Sequence, residues 1–487
     1  MRELVEFSED RLLTRAAQKR IIFALALACF LTSCTVGPKY TKPAVPSAPA
    51  FKESAGWKTA QPADSQIRGN WWELFGDAPL NALEQQVEPA NQSLKVAEAN
   101  FRQARAQIQF NRSFLFPQVG VAPGISSNRT STNTVAGRPG STYGNFVLPV
   151  TASYDVDLWG RIRRSVSIAR EQYQASAADL ENVKLELQAE LAADYFEARS
   201  LDAQKEILDN NVTGYLKALQ LTQNRYQGGV ASKAEVAQAQ TQLSQTQAQD
   251  IDVTAARANF EHAIAVLIGK IPAEFSLPLM PLKSEPPVIP AGLPSQLLER
   301  RPDIAAAERQ AAAANEQIGI ARAAFFPDLL ITAEGGFEAG SIVDWFSWPS
   351  RFWAVGPQLA QTIFDAGRRR AQVETAQAVY EGTVANYRQA ALSAFQEVED
   401  NLSTLRILEQ EQAKQHEATM AAQNSAELSL NRYKGGLVTY LEVITAQTIA
   451  LENERTEADL LRRRMGASVQ LIKALGGGWD TSKLPKT

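Results

Sequence analysis

Two short segments of the chain alternate apolar and polar side chains, and around them run far longer segments with apolar positions three and four apart. Phe146, Leu148, Val150, Ala152, Tyr154, Val156 and Leu158 alternate with Asn145, Val147, Pro149, Thr151, Ser153, Asp155 and Asp157. Trp353, Val355, Pro357, Leu359 and Ile363 repeat the pattern, broken at Gln361, against Ala354, Gly356, Gln358, Ala360 and Thr362. Val119 and Val121, and again Leu329 and Ile331, mark a strand before each. A period of two over roughly ten residues is the per-segment pattern of a transmembrane β-barrel strand, apolar to lipid and polar to the lumen. Half-buried strands of a soluble sandwich alternate in the same way. The stretches between the paired strands, Ser126 to Thr142 and Gly335 to Ser350, read as long polar loops outside the cell.

The helical segments are rich in Ala, Gln and Glu. A short helix is expected from about Pro79 to Glu88, broken near Pro89, and longer ones over Asn91 to Phe114 and Pro302 to about Phe325. After each strand pair the spacing predicts a helix of sixty-odd residues, Arg161 to Arg225 and Arg368 to Arg432, about 100 Å long at 1.5 Å per residue. Leu180, Val183, Leu187 and Leu191, then Leu402, Leu405 and Leu408, form a coiled-coil seam. A solvated bundle accounts for any one of these helices alone. Glycine pairs end both, and return helices follow over Ala231 to Gly269 and Thr439 to Leu475.

The two halves repeat one another. Asn224-Arg225-Tyr226-Gln227-Gly228-Gly229-Val230 returns about two hundred residues on as Asn431-Arg432-Tyr433-Lys434-Gly435-Gly436-Leu437. Glu235-Val236 matches Glu442-Val443, Phe116-Pro117 matches Phe326-Pro327, and Gly160-Arg161 matches Gly367-Arg368. Such duplication suits a symmetric wall or tube better than an enzyme around one cleft.

The ends add a compartment. Arg15, Lys19 and Arg20 precede an apolar run from Ile21 to Leu31 that is too short to span a bilayer but suits a leader peptide. It closes in Leu31-Thr32-Ser33-Cys34, similar to the bacterial lipobox, in which the cysteine is lipidated; ordinary secretion with Cys34 as a free thiol is the plainer alternative. Glu3, Glu6, Glu9 and Asp10 are unusual in a leader and fit a translation start downstream of Met1. Thr35, where an aspartate would mark inner-membrane retention, favours the outer membrane. The proline-rich stretch after Cys34 reads as an extended tether, not a packed element. The chain thus divides into leader (1–33), lipidated tether (34–70), first repeat (71–270, strand hairpin about 117–160, helical tip about 226–230), proline-rich linker (271–293), second repeat (294–475, strand hairpin about 327–366, tip about 433–437) and tail (476–487).

Composition removes whole classes. A net charge of −4 over 487 residues argues against nucleic acid as a partner. One cysteine remains after the leader, so the mature chain has no internal disulfide. His262 and His416, the only histidines, stand apart without metal-ligand spacing. No nucleophile elbow, P-loop or dinucleotide fingerprint is present, so neither an enzyme, a cofactor nor a metal is expected.

Cys34 with Val36-Gly37-Pro38, Trp71-Trp72, the two Arg-Tyr-x-x-Gly tips, and Gly160-Arg161 with Gly367-Arg368 occur in an order that resembles the outer-membrane efflux protein family (the TolC and OprM type), in its lipoprotein branch, over residues 34 to 475. The resemblance implies a mixed α+β membrane protein: a homotrimer in which each protomer gives four strands to a twelve-stranded outer-membrane barrel, continued by a long periplasmic α-helical barrel. It implies diacylglycerol and an N-acyl chain on Cys34, and as partners outer-membrane lipid, a periplasmic membrane-fusion adaptor and an inner-membrane RND-type pump. The chain would then be the exit duct of a tripartite efflux system. A duct for type I protein secretion and a periplasmic coiled-coil scaffold are the alternatives.

By the same resemblance the adaptor docks at the tips, at Arg225, Tyr226, Gly228, Gly229 and Ser232 and at Arg432, Tyr433, Gly435, Gly436 and Thr439; glycines that only make turns are the plainer reading. Glu442 falls where the family commonly carries an acidic ring, and Thr445 occupies the next acidic position. Three carboxylates round a narrow axis would favour cations. The closed state would pair Tyr433 with Glu235, although both glutamates also read as ordinary solvated helix residues. No position selects a substrate.

Overall fold

The structure is a computed structural model that describes residues 35–45, 48–54, 69–133, 140–289 and 298–485. The leader, Cys34 and the last residues of the proline-rich linker lie outside the described residues.

Helices α1 (Ala78–Ala90) and α2 (Gln92–Ser113) come first, then strands β1 (Gln118–Val121), β2 (Gly124–Arg129) and β3 (Thr142–Val156). The long helix α3 (Arg161–Gln227) and its return α4 (Lys233–Leu267) follow. The order then recurs: α5 (Pro302–Ala323), β4 (Asp328–Ala339), β5 (Arg351–Ala360), α6 (Arg368–Lys434) and α7 (Tyr440–Ala474). Both long helices have 67 residues and both returns 35, so the long helices reach about 100 Å.

All strands join one antiparallel sheet in the order β1–β3–β4–β5, with β2 also on β3. β1 and β2 are two pieces of one sheet position, interrupted at Ala122 and Pro123 opposite Pro149, where prolines leave the ladder without donors. The register sets like against like. Val150 faces Val121 and Gly335, Leu148 faces Phe337, Tyr154 faces Ile331, and Ala333 faces Val355. Directly opposed residues share a face, so one side of the sheet is apolar from Val119, Val156 and Leu359 up to Phe146 and Phe337, beyond which Arg351, Ser127, Arg129 and Thr142 end the apolar band. The other carries Gln118, Ser126, Asn145, Thr151, Ser153, Thr332, Glu334 and Gln358.

Where strand becomes helix, an aspartate caps the turn. Asp157 accepts from the backbone N–H groups of Ile162 (3.0 Å) and Arg163 (2.9 Å), and Asp365 accepts from Gly367 (3.2 Å). Gly160 (φ 81°) and Gly367 (φ 90°) make the left-handed step that starts α3 and α6. Trp159 donates to the Pro327 carbonyl at 2.9 Å and stacks on Phe326 at 4.5 Å, locking the two strand–helix junctions together.

The main core lies midway down the helices, where Trp71, Trp72 and Phe75 pack against Tyr195, Phe196, Val469 and Ile472. A second cluster near the far end gathers Leu208, Tyr215, Leu219, Leu243, Tyr433, Tyr440 and Val443.

Several expectations are corrected. Pro89 does not end α1, which continues to Ala90. The break is made by Asn91, whose side chain accepts from Leu94 N–H (3.1 Å) and donates to the Leu267 carbonyl (2.9 Å). The described residues of the tether, 35–45 and 48–54, are packed. Val36 N–H bonds the Trp159 carbonyl, Tyr40 donates to Glu308, and Phe51 is buried in the main core. A Cβ at Gly37 would lie 2.6 Å from the Gly319 Cα, so only glycine admits this approach. The loops are shorter than expected, because Ser126 lies in β2 and Gly335 in β4. The β4–β5 connection is also not polar: Trp345 stacks on Phe346 (4.9 Å) and reaches Phe146 (5.7 Å), while Phe346 reaches Phe337 (5.8 Å), leaning on the apolar face. Ile363, assigned to the second alternating segment, lies beyond the end of β5.

Candidate functional site

Two parts of the molecule carry features that packing alone does not require: the apolar sheet with its edges, and the helical tips. At the sheet, β1/β2 and β5 are the outer positions and have a partner on one side only among the described residues. Along the helices, exposed apolar side chains include Val379, Leu392, Ile407 and Met420 on α6 at one lateral margin, and Val96, Ile251 and Val266 on α2 and α4 at the other. α2 leads into β1 and α6 leaves β5, so each margin continues one sheet edge.

At the tips, the second glycine of each pair makes the turn (Gly229 φ 74°, Gly436 φ 76°), while Gly228 and Gly435 stay at negative φ. Ser232 and Glu235 form a capping box on α4, with Ser232 N–H donating to the Glu235 carboxylate at 2.8 Å. Glu235 also accepts from Tyr440 N–H at 3.3 Å, which ties α4 to the start of α7. Tyr433 does not bond Glu235: its hydroxyl meets the Thr222 Oγ1 at 3.4 Å, and its ring packs 5.2 Å from Tyr440 under the Arg225 guanidinium at 4.7 Å. The Arg225 Nη1 donates to the Lys434 carbonyl at 3.3 Å. Burial pushes the Tyr440 hydroxyl up to about 12.

The repeat predicts equivalent tips, yet they differ. Tyr433 is 2 % exposed and Tyr226 is 46 % exposed. Arg432, Gly435, Gly436, Thr439, Gly228, Gly229 and Ser232 face solvent. Glu442 is exposed in the first turn of α7, and Thr445 lies on the same helix, likewise exposed. Thr439 precedes α7 without a side-chain cap. Cys34 lies outside the described residues, but the chain enters the structure at the strand–helix junction, where a Cβ on Gly160 would sit 3.0 Å from the Thr35 Cγ2.

His262 is exposed, and His416 bonds Glu457 at 2.7 Å. Among the described residues no group of three His, Cys, Asp or Glu side chains is placed to hold a metal ion, and no helix is long and apolar enough to cross a membrane.

The sequence reading missed a buried ionic clamp. Asp202 accepts from Arg199 (3.1 Å), Arg257 (2.6 Å) and Met280 N–H (3.0 Å), while Arg199 and Arg257 donate to the Pro278 and Leu277 carbonyls. It pins the proline-rich linker to α3 and α4.

The chain matches the family described as outer membrane efflux protein, over residues 83–270 and 293–477. It is 31% identical over 462 residues to the probable efflux pump outer membrane protein TtgC of Pseudomonas putida, covering 94% of this chain and 96% of that one. It is 33% identical over 426 residues to the pyoverdine export outer membrane protein OpmQ of Pseudomonas aeruginosa, with 86% and 89% covered. The solved outer-membrane channel OprN superposes with a TM-score of 0.84 at 29% identity, covering 92% of this chain and all (100%) of that one.

Proposed function

The chain belongs to the outer membrane efflux protein family, and from that premise we propose how its parts work as an exit duct. It is an outer-membrane channel for efflux that extends into the periplasm. The observation that carries the mechanism is the sheet: one face with a broad apolar band, one polar face and two open edges, joined directly to helices of 67 residues. An open edge in lipid leaves backbone groups without partners at a cost of several kcal/mol each, so β5 of one copy pairs with β1/β2 of the next until the sheet closes. Three copies give the closed barrel, and the exposed apolar margins of α6 and of α2 and α4 cover one another along the same seams. The internal duplication makes the lower wall a ring of alternating hairpins.

The polar sheet face lines a water-filled passage that continues into the helical tube. Small molecules handed over by an inner-membrane pump through a periplasmic adaptor leave by this route, and the duct itself does no chemistry. The adaptor meets the solvent-facing turns of the tips, at Gly228, Gly229 and Ser232 and at Gly435, Gly436 and Thr439. Glu442, repeated round the axis, attracts cations there. Acyl chains on Cys34 anchor the strand–helix junction at the membrane surface, a reading supported by the packing of Thr35 against Gly160. A soluble scaffold has no use for a continuous apolar sheet face.

The test is dye accumulation in a Gram-negative strain stripped of its own exit channels but retaining pump and adaptor. Expression of this chain lowers accumulation. Unchanged accumulation, with the protein present in the outer membrane, contradicts efflux.

A further inference from the structure

Within one copy, two residues of the α3–α4 hairpin make three contacts with Tyr433 of the α6–α7 hairpin and the residue after it. The Arg225 guanidinium covers the Tyr433 ring, Thr222 meets the Tyr433 hydroxyl, and Arg225 donates to the carbonyl of the residue after Tyr433. At the constant offset that relates the two repeats, Thr222 becomes Ser429, Arg225 becomes Arg432 and Tyr433 becomes Tyr226. The chemistry survives the shift: a hydroxyl for a hydroxyl, a guanidinium for a guanidinium, a phenol for a phenol. The second set is complete in residue types but unmade, because Arg432 and Tyr226 are exposed and Ser429 only half-buried.

We propose that Arg432 and Ser429 of one copy clasp Tyr226 of the adjacent copy, so the contact seen inside the chain recurs at every seam of the tip ring. The inference rests on the ring of three copies. In a ring of alternating hairpins, the step from the second hairpin to the first carries the inner contact onto the seam. The Arg432 guanidinium then lies on the Tyr226 ring, the Tyr226 hydroxyl donates to the Ser429 Oγ, and Arg432 donates to the Gln227 carbonyl. The occupant of the exposed Tyr226 ring is a second copy of this chain. The closed end is then held by six alike cation–π contacts, alternately within and between copies.

The experiment is a double-mutant cycle on the full mature chain in planar bilayers, with the oligomer measured by native mass spectrometry on the same samples. Arg432→Ala and Tyr226→Ala each raise the open-to-closed ratio about fivefold, and the double variant goes no further than either single one. Pairing Arg432→Cys with Tyr226→Cys and adding a short bifunctional thiol reagent links copies to one another rather than closing a loop within one. Trimers with additive effects, or with links only inside a chain, overturn the seam contact and leave the ring standing. Samples without trimers overturn the ring and the seam together.

Discussion

The Arg225 guanidinium lies 4.7 Å from the centre of the Tyr433 ring, and so binds the tip of one helical hairpin to the tip of the other. It acts together with the Tyr440 N–H bond to Glu235, the Thr222–Tyr433 contact and the apolar cluster around Tyr440 in holding the tips together.

Arg225→Ala removes a contact worth about 1 kcal/mol and frees the Lys434 carbonyl. Larger or more frequent openings are expected in single-channel records, with Arg225→Lys in between, because lysine keeps the charge but not the planar fork. Equal openings in all three proteins would contradict a tie at this point.

Glu442→Gln removes one charge per copy from an exposed position beside the tip of the second hairpin. The reversal potential under a salt gradient is expected to move toward zero, with conductance little changed, since side-chain volume is kept. An unmoved reversal potential places the selectivity elsewhere, with Glu334 and Glu338 on the polar sheet face as the next residues to change.

Glu84 is 1 % exposed, both carboxyl oxygens lack partners in the structure, and burial pushes its carboxyl up to about 9. The folded state therefore holds the proton more tightly than the unfolded chain. The associated stability is fully present below about 4.5 and is lost as pH rises toward 9. Glu84→Gln cannot ionise, so it should raise the melting temperature at pH 8 and leave it nearly unchanged at pH 4. Parallel melting curves at the two pH values would show that Glu84 is solvated.

Asp202→Ala leaves Arg199 and Arg257 buried without their carboxylate, at a cost of about 3–5 kcal/mol. It also releases Met280 N–H, so the linker around Leu277 to Leu282 should become a protease site in the folded protein. Limited proteolysis followed by mass spectrometry of the fragments checks this.

Much of the architecture was legible because it is local. The alternation from Phe146 to Val156 is the β3 face itself, and Gly160 and Gly367 mark left-handed turns that few other residues tolerate. Tip symmetry was legible only as composition. Tyr226 and Tyr433 sit in matching heptapeptides, yet one is exposed and one buried, because burial depends on which hairpin stands beside each. The contact of Tyr433 with Thr222 was hidden for a similar reason: Thr222 lies upstream of the tip on another helix, and only packing brings it near. The tether failed on composition, since proline-rich chain is usually solvated, whereas here Tyr40 and Phe51 pin it to Glu308 and the main core. The β4–β5 loop could have been read from Ile342, Val343, Trp345, Phe346 and Trp348, whose density is foreign to a solvated loop. The Asp202 clamp joins residues far apart in the chain and left no periodic trace.

The most direct measurement is single-channel recording from detergent-extracted mature protein whose mass is determined under native conditions. Closure of the sheet by neighbouring copies predicts trimers that need detergent and give small, cation-selective current steps. A monomer that stays in solution once its lipid is removed, and passes no current, contradicts the barrel and with it the duct.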